Sequence, residues 1–143
     1  MKKIVTYPNP VLDKKAQNIK NPLEPKIQKL IPEMLVAMRE NNGMGLAAPQ
    51  IGESIRLCVI DYMGNAYILI NPKITAHSKI KIDAEEGCLS FPGKFIPVNR
   101  FETVQVRYLN EKGEKSKIKA TGLLARALQH EIDHLDGILF INR

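Results

Sequence analysis

The chain has 143 residues, 44% of them hydrophobic and 25% charged, which is the length of one domain with a real hydrophobic core. Nine glycines and nine prolines spread among β-branched runs exclude an all-helical chain, and two cysteines are too few for a small disulfide scaffold. The net charge of +6 could attract nucleic acid or a ribosome, but the lysines are dispersed and no Trp interleaves them, which argues for a solvated surface over a specific nucleic-acid site.

The opening MKKIVTYPNPVL carries no long apolar stretch, so neither a secretory signal nor a membrane helix is expected, and the chain is placed in the cytoplasm. Pro8 and Pro10 make this entry turn-rich. In PKIQKLIPEMLVAMRE (25–40), Ile27, Leu30, Ile31, Met34, Leu35 and Met38 recur at helical spacing and predict an amphipathic helix. Pro32 conflicts with it and is expected to mark the first turn of a shorter, better-formed helix.

NNG (41–43) ends that helix, and GMGLAAPQIG reads as a loop of small residues. RLCVIDY (56–62) and AYILINP (66–72) flank MGN as a β-hairpin. Residues 73–83 alternate polar residues with Ile and predict another strand, followed by strands at 94–98, 102–110 and 115–121. LLARALQHEIDHL (123–135) is free of Pro and Gly, and Gly137 is placed to stop it. The predicted class is α+β: antiparallel sheets around a C-terminal helix, with a second amphipathic helix near the N-terminus, all within one catalytic domain over 1–143.

The last helix contains QHEIDH (129–134). His130 and His134 are four apart and share one helix face, as two ligands of one metal ion must. Glu131 is turned about 100° from His130, off the ligand face but within reach of a water at the metal. No His or Glu follows His134, and Asp136 lies on another face, so a third ligand has to come from upstream. Cys88, in the polar stretch EEGCLS, is the candidate; Cys58, inside the apolar RLCVID, reads as a core residue and His77 as a surface one. Cys88, His130 and His134 would leave one tetrahedral position open, the mark of a catalytic site.

Three segments, GMGLAAPQ (43–50), EGCLS (86–90) and QHEIDH (129–134), together closely resemble the signature motifs of the bacterial peptide deformylases, and the likeness covers essentially the whole chain. The resemblance implies hydrolytic removal of formyl from N-terminal formyl-methionine of new polypeptides. It implies Cys88, His130 and His134 as ligands of one divalent metal, with Fe²⁺ in the cell and Zn²⁺, Ni²⁺ or Co²⁺ suited to the same donors. It further implies Glu131 as general acid and base, and Gln50 with the Leu89 N–H as stabilisers of the oxyanion. Met44, Gly45, Gly87, Leu123 and Ala127 would line the substrate slot, with the stem of Arg126 along its edge and its head in water. Glu86 and Arg100 would form a supporting ion pair near Cys88. The implied partners are N-formylmethionyl nascent chains, with transient ribosome contact through the basic surface, no specific nucleic acid and no membrane. The sequence stops at INR, short of the tail by which some members dock on ribosomes. Two rivals stand at this point: a zinc peptidase built on the same helix, and a metal-binding protein without activity.

Overall fold

The structure, a computed structural model, describes residues 2–143. Helix α1 spans Pro25–Glu40 and α2 spans Gly122–Leu135. Strands β1 (Gly45–Ala47), β2 (Leu57–Tyr62), β3 (Asn65–His77), β6 (Thr103–Leu109) and β7 (Lys115–Thr121) form an antiparallel sheet in the order β1-β2-β3-β6-β7. Strands β4 (Lys81–Cys88) and β5 (Phe91–Phe101) pair antiparallel as a second sheet.

The larger sheet is covered on both faces over its β1-β2-β3 half. From β2, Leu57 and Val59 meet α1 residues Ile27, Leu30, Ile31, Met34 and Met38. Cys58 and Ile60, pointing the other way, meet α2 residues Leu124, Ala125, Leu128, Ile132 and Leu135. This two-sided burial is why LCVI is a continuous apolar run and not an alternating one. The buried Cys58 is a core residue, and burial, with a smaller contribution from the Glu131 charge, pushes its thiol pKa well up.

Helix α1 is continuous through Pro32, contrary to the expected restart there; the proline in the first turn is Pro25. An interior proline costs about 3 kcal/mol. Six side chains of α1 are buried, and the five large ones, Ile27, Leu30, Ile31, Met34 and Met38, contribute about 1.5–3 kcal/mol each, so the tertiary face outweighs the local defect.

Three other expectations need correction. The GMGLAAPQ segment is not wholly loop: Gly45–Ala47 pairs with Cys58–Ile60 as β1, and Ala48–Ile51 makes a 3-10 turn. Residues 73–83 are not one strand. β3 continues to His77, shifting its pairing from β2 to β6 through irregularities after Ile70 and Ile74, and β4 starts afresh at Lys81. The predicted strand at 94–98 is the middle of a longer β5.

Two devices join the smaller sheet and the chain ends to α2. The Gln129 side chain accepts from the Phe101 N–H at 2.9 Å and donates to the Phe101 carbonyl at 2.9 Å, so the end of β5 is fixed to the helix. At its C-terminus α2 is stopped by Gly137 at φ +73°, where a Cβ would also lie 2.7 Å from the Asp13 carbonyl oxygen. A compact cluster of Leu12, Phe91, Val98, Leu139 and Phe140 closes this corner.

Candidate active site

Helix α2 presents His130 and His134 from successive turns, with ring centroids 5.0 Å apart. Cys88 is the last residue of β4, where the pairing with β5 becomes irregular, and its Sγ lies 3.3 Å from His134 Nε2. One ligand atom from each of Cys88, His130 and His134 falls within 4.8 Å of the other two. The smaller sheet thus brings up the donor that the helix lacks. His77, by contrast, is exposed and stacks on Phe101.

The chemistry of these donors suits a divalent transition cation: one sulfur and two imidazole nitrogens converge in a largely buried place. Burial, helped by the His130 and Arg100 charges, pushes the His134 pKa well down, so the ring stays neutral with a lone pair to donate. His134 Nδ1 is itself buried without a hydrogen-bond partner among the described residues. His130 is pushed up to about 10: burial opposes protonation, but hydrogen bonds to Cys88 and Glu86 and the Glu131 charge outweigh it. A cation competes for the nitrogen facing Cys88, so its uptake is linked to proton release.

Glu131 is 5% exposed, with Oε1 buried and unpartnered among the described residues. Burial raises its pKa from 4.5 to about 7; the His130 and Arg100 charges lower it, and Glu86 and Asp133 raise it. A carboxyl poised there exchanges a proton readily near neutral pH. Its Oε2 lies so close to β1 that a Cβ on Gly45 would be 2.5 Å away. Gly45 therefore makes room for the Glu131 carboxylate. Gly87 similarly admits the Phe95 ring, which would lie 2.6 Å from an added Cβ.

Gln50 combines a local and a site-facing role. Its Oε1 accepts the Ala47 N–H at 2.9 Å, capping the 3-10 turn. That bond orients Nε2 toward Ser90 Oγ at 3.2 Å and Cys88 Sγ at 3.5 Å. The Leu89 N–H, in the turn after Cys88, makes no hydrogen bond among the described residues.

Beside this group runs a cleft of about 580 Å³ lined by Met44, Gly45, Gln50, Gly87, Cys88, Leu89, Leu123, Ala127, His130 and Glu131, with Phe95 and Arg126. Met44 and Ala127 also pack on the core from the cleft side. Every site residue predicted from sequence lines this cleft except His134, which is buried behind it.

Arg126 does not place its head in water. Its guanidinium donates to Glu86 Oε2 at 2.6 Å and to the carbonyls of Val98 at 2.9 Å and Ile82 at 2.6 Å. The slot edge is therefore bounded by a guanidinium held against the smaller sheet. Glu86 does pair with Arg100, at 2.9 and 3.0 Å, and its Oε1 also accepts from His130 Nδ1 at 2.9 Å. Desolvation opposes ionisation of Glu86, yet the His130 and Arg100 hydrogen bonds hold its pKa down at about 2. Sequence reasoning missed the Glu86–His130 contact. The only available signal was a glutamate two residues before the candidate Cys88.

Comparison with known proteins gives the family. The polypeptide deformylase family model matches residues 1–143. The peptide deformylase of Natranaerobius thermophilus is 50% identical over 144 residues, covering 100% of this chain and 92% of that protein. That of Clostridium botulinum is 45% identical over 143 residues, covering 100% and 96%. Among solved structures, the Thermotoga maritima peptide deformylase superposes with a TM-score of 0.97 at 39% identity, covering 100% of this chain and 97% of that one. With the family match over the whole chain, relatives up to 50% identical and a shared fold, the chain belongs to the polypeptide deformylase family.

Proposed function

We propose that Glu131 moves the proton in the deformylation reaction, that Gln50 Nε2 and the Leu89 N–H receive charge on the formyl oxygen, and that Cys88, His130 and His134 hold one divalent metal. The reaction itself is that of the family: water and an N-formyl-methionyl terminus give formate and a free amine. A divalent cation in such a site lowers the pKa of water from 15.7 toward neutrality and polarises a carbonyl oxygen. Glu131 takes a proton from the attacking water and delivers it to the amine nitrogen as the C–N bond breaks. Its pKa of about 7 suits both directions of transfer. The Gln50 amide is already oriented by Ala47, so its N–H₂ meets the developing oxyanion without reorganisation.

The observation that carries this reading is the buried Glu131 carboxylate, its Oε1 unpartnered among the described residues, packed against β1 and lining the same cleft as Cys88 and His130. Met44, Leu123 and Ala127 form the apolar wall for the methionine side chain, while Gly45 and Gly87 line the cleft and make room for the Glu131 carboxylate and the Phe95 ring. Fe²⁺ is the cellular ion in this reading, and Zn²⁺, Ni²⁺ or Co²⁺ fit the same sulfur and nitrogen donors. Residues 1–143 act as one catalytic domain. Among the described residues no helix is long and apolar enough to cross a membrane. In this reading the enzyme works in the cytoplasm, with transient ribosome contact through its net charge of +6.

The test is formate release from formyl-Met-Ala-Ser by protein loaded anaerobically with Fe²⁺, beside Glu131→Gln. The variant should keep its metal and lose turnover by orders of magnitude. Near-normal turnover would remove Glu131 from the mechanism.

A further inference from the structure

Behind the cleft, the ion pair of Glu86 and Arg100 is part of a longer chain of charges. Arg100, 3% exposed, directs Nε and one terminal nitrogen to Glu86 and the other terminal nitrogen to Asp133 Oδ2. Asp133 lies on α2 between the two histidines, turned away from the cleft, and is 6% exposed. Its carboxylate is completed from outside by Arg143, whose Nε reaches Oδ2 at 2.8 Å and whose terminal nitrogen reaches Oδ1 at 2.6 Å. With Arg126 also on Glu86, three guanidiniums serve two carboxylates, and the net charge is one positive.

We propose that Arg143 is a positioning residue for His130, acting through Asp133, Arg100 and Glu86. Asp133 and Glu86 compete for one buried guanidinium, and each has a second arginine to satisfy its remaining lone pairs. A buried carboxylate left short of donors draws its remaining partner toward itself. Without Arg143, Asp133 keeps only Arg100, and Arg100 is pulled from Glu86. Glu86 then turns toward Arg126, and His130 Nδ1 loses the acceptor now 2.9 Å away. That acceptor sets which ring nitrogen carries the proton and which is free for a metal. Arg143 binds Asp133 with both prongs of its fork while 43% of its side chain is exposed, so the buried relay has one end at the surface.

This inference rests on His130 being a metal ligand, and the experiment separates the two. Full-length protein, Arg143→Ala, Arg143→Lys and the surface-pair control Arg39→Ala are loaded with Zn²⁺, and metal release to a chelator is timed well below the melting temperature. The His130 Nδ1 proton is followed by NMR with and without zinc. Loss of an outer partner of a metal-bound histidine typically weakens metal binding about 10–100-fold. Arg143→Ala should therefore release zinc about tenfold faster and shift or broaden the Nδ1 proton even without metal. Arg143→Lys, which keeps the charge but not the fork, should fall between, and Arg39→Ala should match the unaltered protein. A lower melting temperature for Arg143→Ala with unchanged zinc release and an unchanged Nδ1 signal would overturn the proposal, leaving Arg143 as a tie for its own segment. Failure of the unaltered protein to take up one zinc would overturn the metal site itself.

Discussion

Adding one methyl group at Gly45 isolates the placement of Glu131 from its chemistry. A Cβ there would lie 2.5 Å from Glu131 Oε2, 3.0 Å from Cδ and 3.1 Å from Cγ, and all three nearest atoms belong to that one side chain. Ordinary contact needs about 3.5 Å, so the carboxylate must retreat by close to 1 Å. The backbone at Gly45 does not need a left-handed conformation, so β1 can accept alanine. Replacing glycine in a strand contributes about 0.5–1 kcal/mol, which offsets part of the crowding. Folding stability should thus change by no more than about 1 kcal/mol. Catalysis should not be spared, because a 1 Å misplacement of a reacting group costs about 10²-fold, or roughly 3 kcal/mol of barrier. The assay is steady-state formate release with metal content and melting temperature measured on the same preparation. Gly45→Ala should show kcat down about 100-fold, with one metal per chain retained. A kcat within about threefold of the unaltered enzyme would refute the claim that the Gly45–Glu131 contact sets the position of the carboxylate.

Cys88→Ser should loosen the metal, because a hydroxyl is a poorer ligand than a thiolate; unchanged stoichiometry in a chelator competition would return Cys88 to a packing role. Gln50→Ala should lower kcat by about 10²–10³-fold without altering metal content, and a smaller loss would leave Gln50 only its cap on Ala47. In metal-free protein, two carboxyls act on stability in opposite directions. Glu86 is lowered from 4.5 to about 2, so its contribution of about 3 kcal/mol is present above pH 4.5 and is lost as pH falls toward 2. Glu131 is raised from 4.5 to about 7, so the folded state holds a proton that the unfolded chain releases, and stability falls by about 3 kcal/mol as pH rises from 4.5 to 7. The depressed His134 binds a proton only in the unfolded chain below pH 6.5 and so offsets Glu131 there, while the raised His130 adds a loss of stability above 6.5. Urea melts of metal-free protein across pH 2–8 should therefore rise to about pH 4.5, stay level to about 6.5 and fall above it; a monotonic rise to pH 8 would contradict the buried Glu131 and His130 assignments.

The parts of the site readable from sequence are those whose chemistry is local. His130, Glu131 and His134 lie within one helical turn and a half, and helix geometry alone separates the two proposed ligands from the proposed acid–base group. Cys88 could be inferred because the helix lacked a third donor, although only the β4–β5 sheet shows how it arrives. The Arg126 head was misplaced because its partners, Ile82, Glu86 and Val98, lie 28 to 44 positions away in sequence and carry no periodic signal. Pro32 misled for a related reason: propensity is local, whereas the apolar face that overrides it is paid back by β2 and β3. β1 was missed because three residues are too few to show alternation.

The split origin of the three donors bears on the order in which a growing chain becomes an enzyme. Cys88 belongs to a sheet completed by residue 101, while His130 and His134 follow every strand of both sheets in the chain. A chain synthesised only as far as β7 can pair all its strands yet holds one sulfur and no imidazole of the set. At the proposed site, metal capture awaits α2, which packs on β2 and is tied through Gln129 to the end of β5. On that reading, incorporation of the ion is a late event that reports on finished tertiary structure.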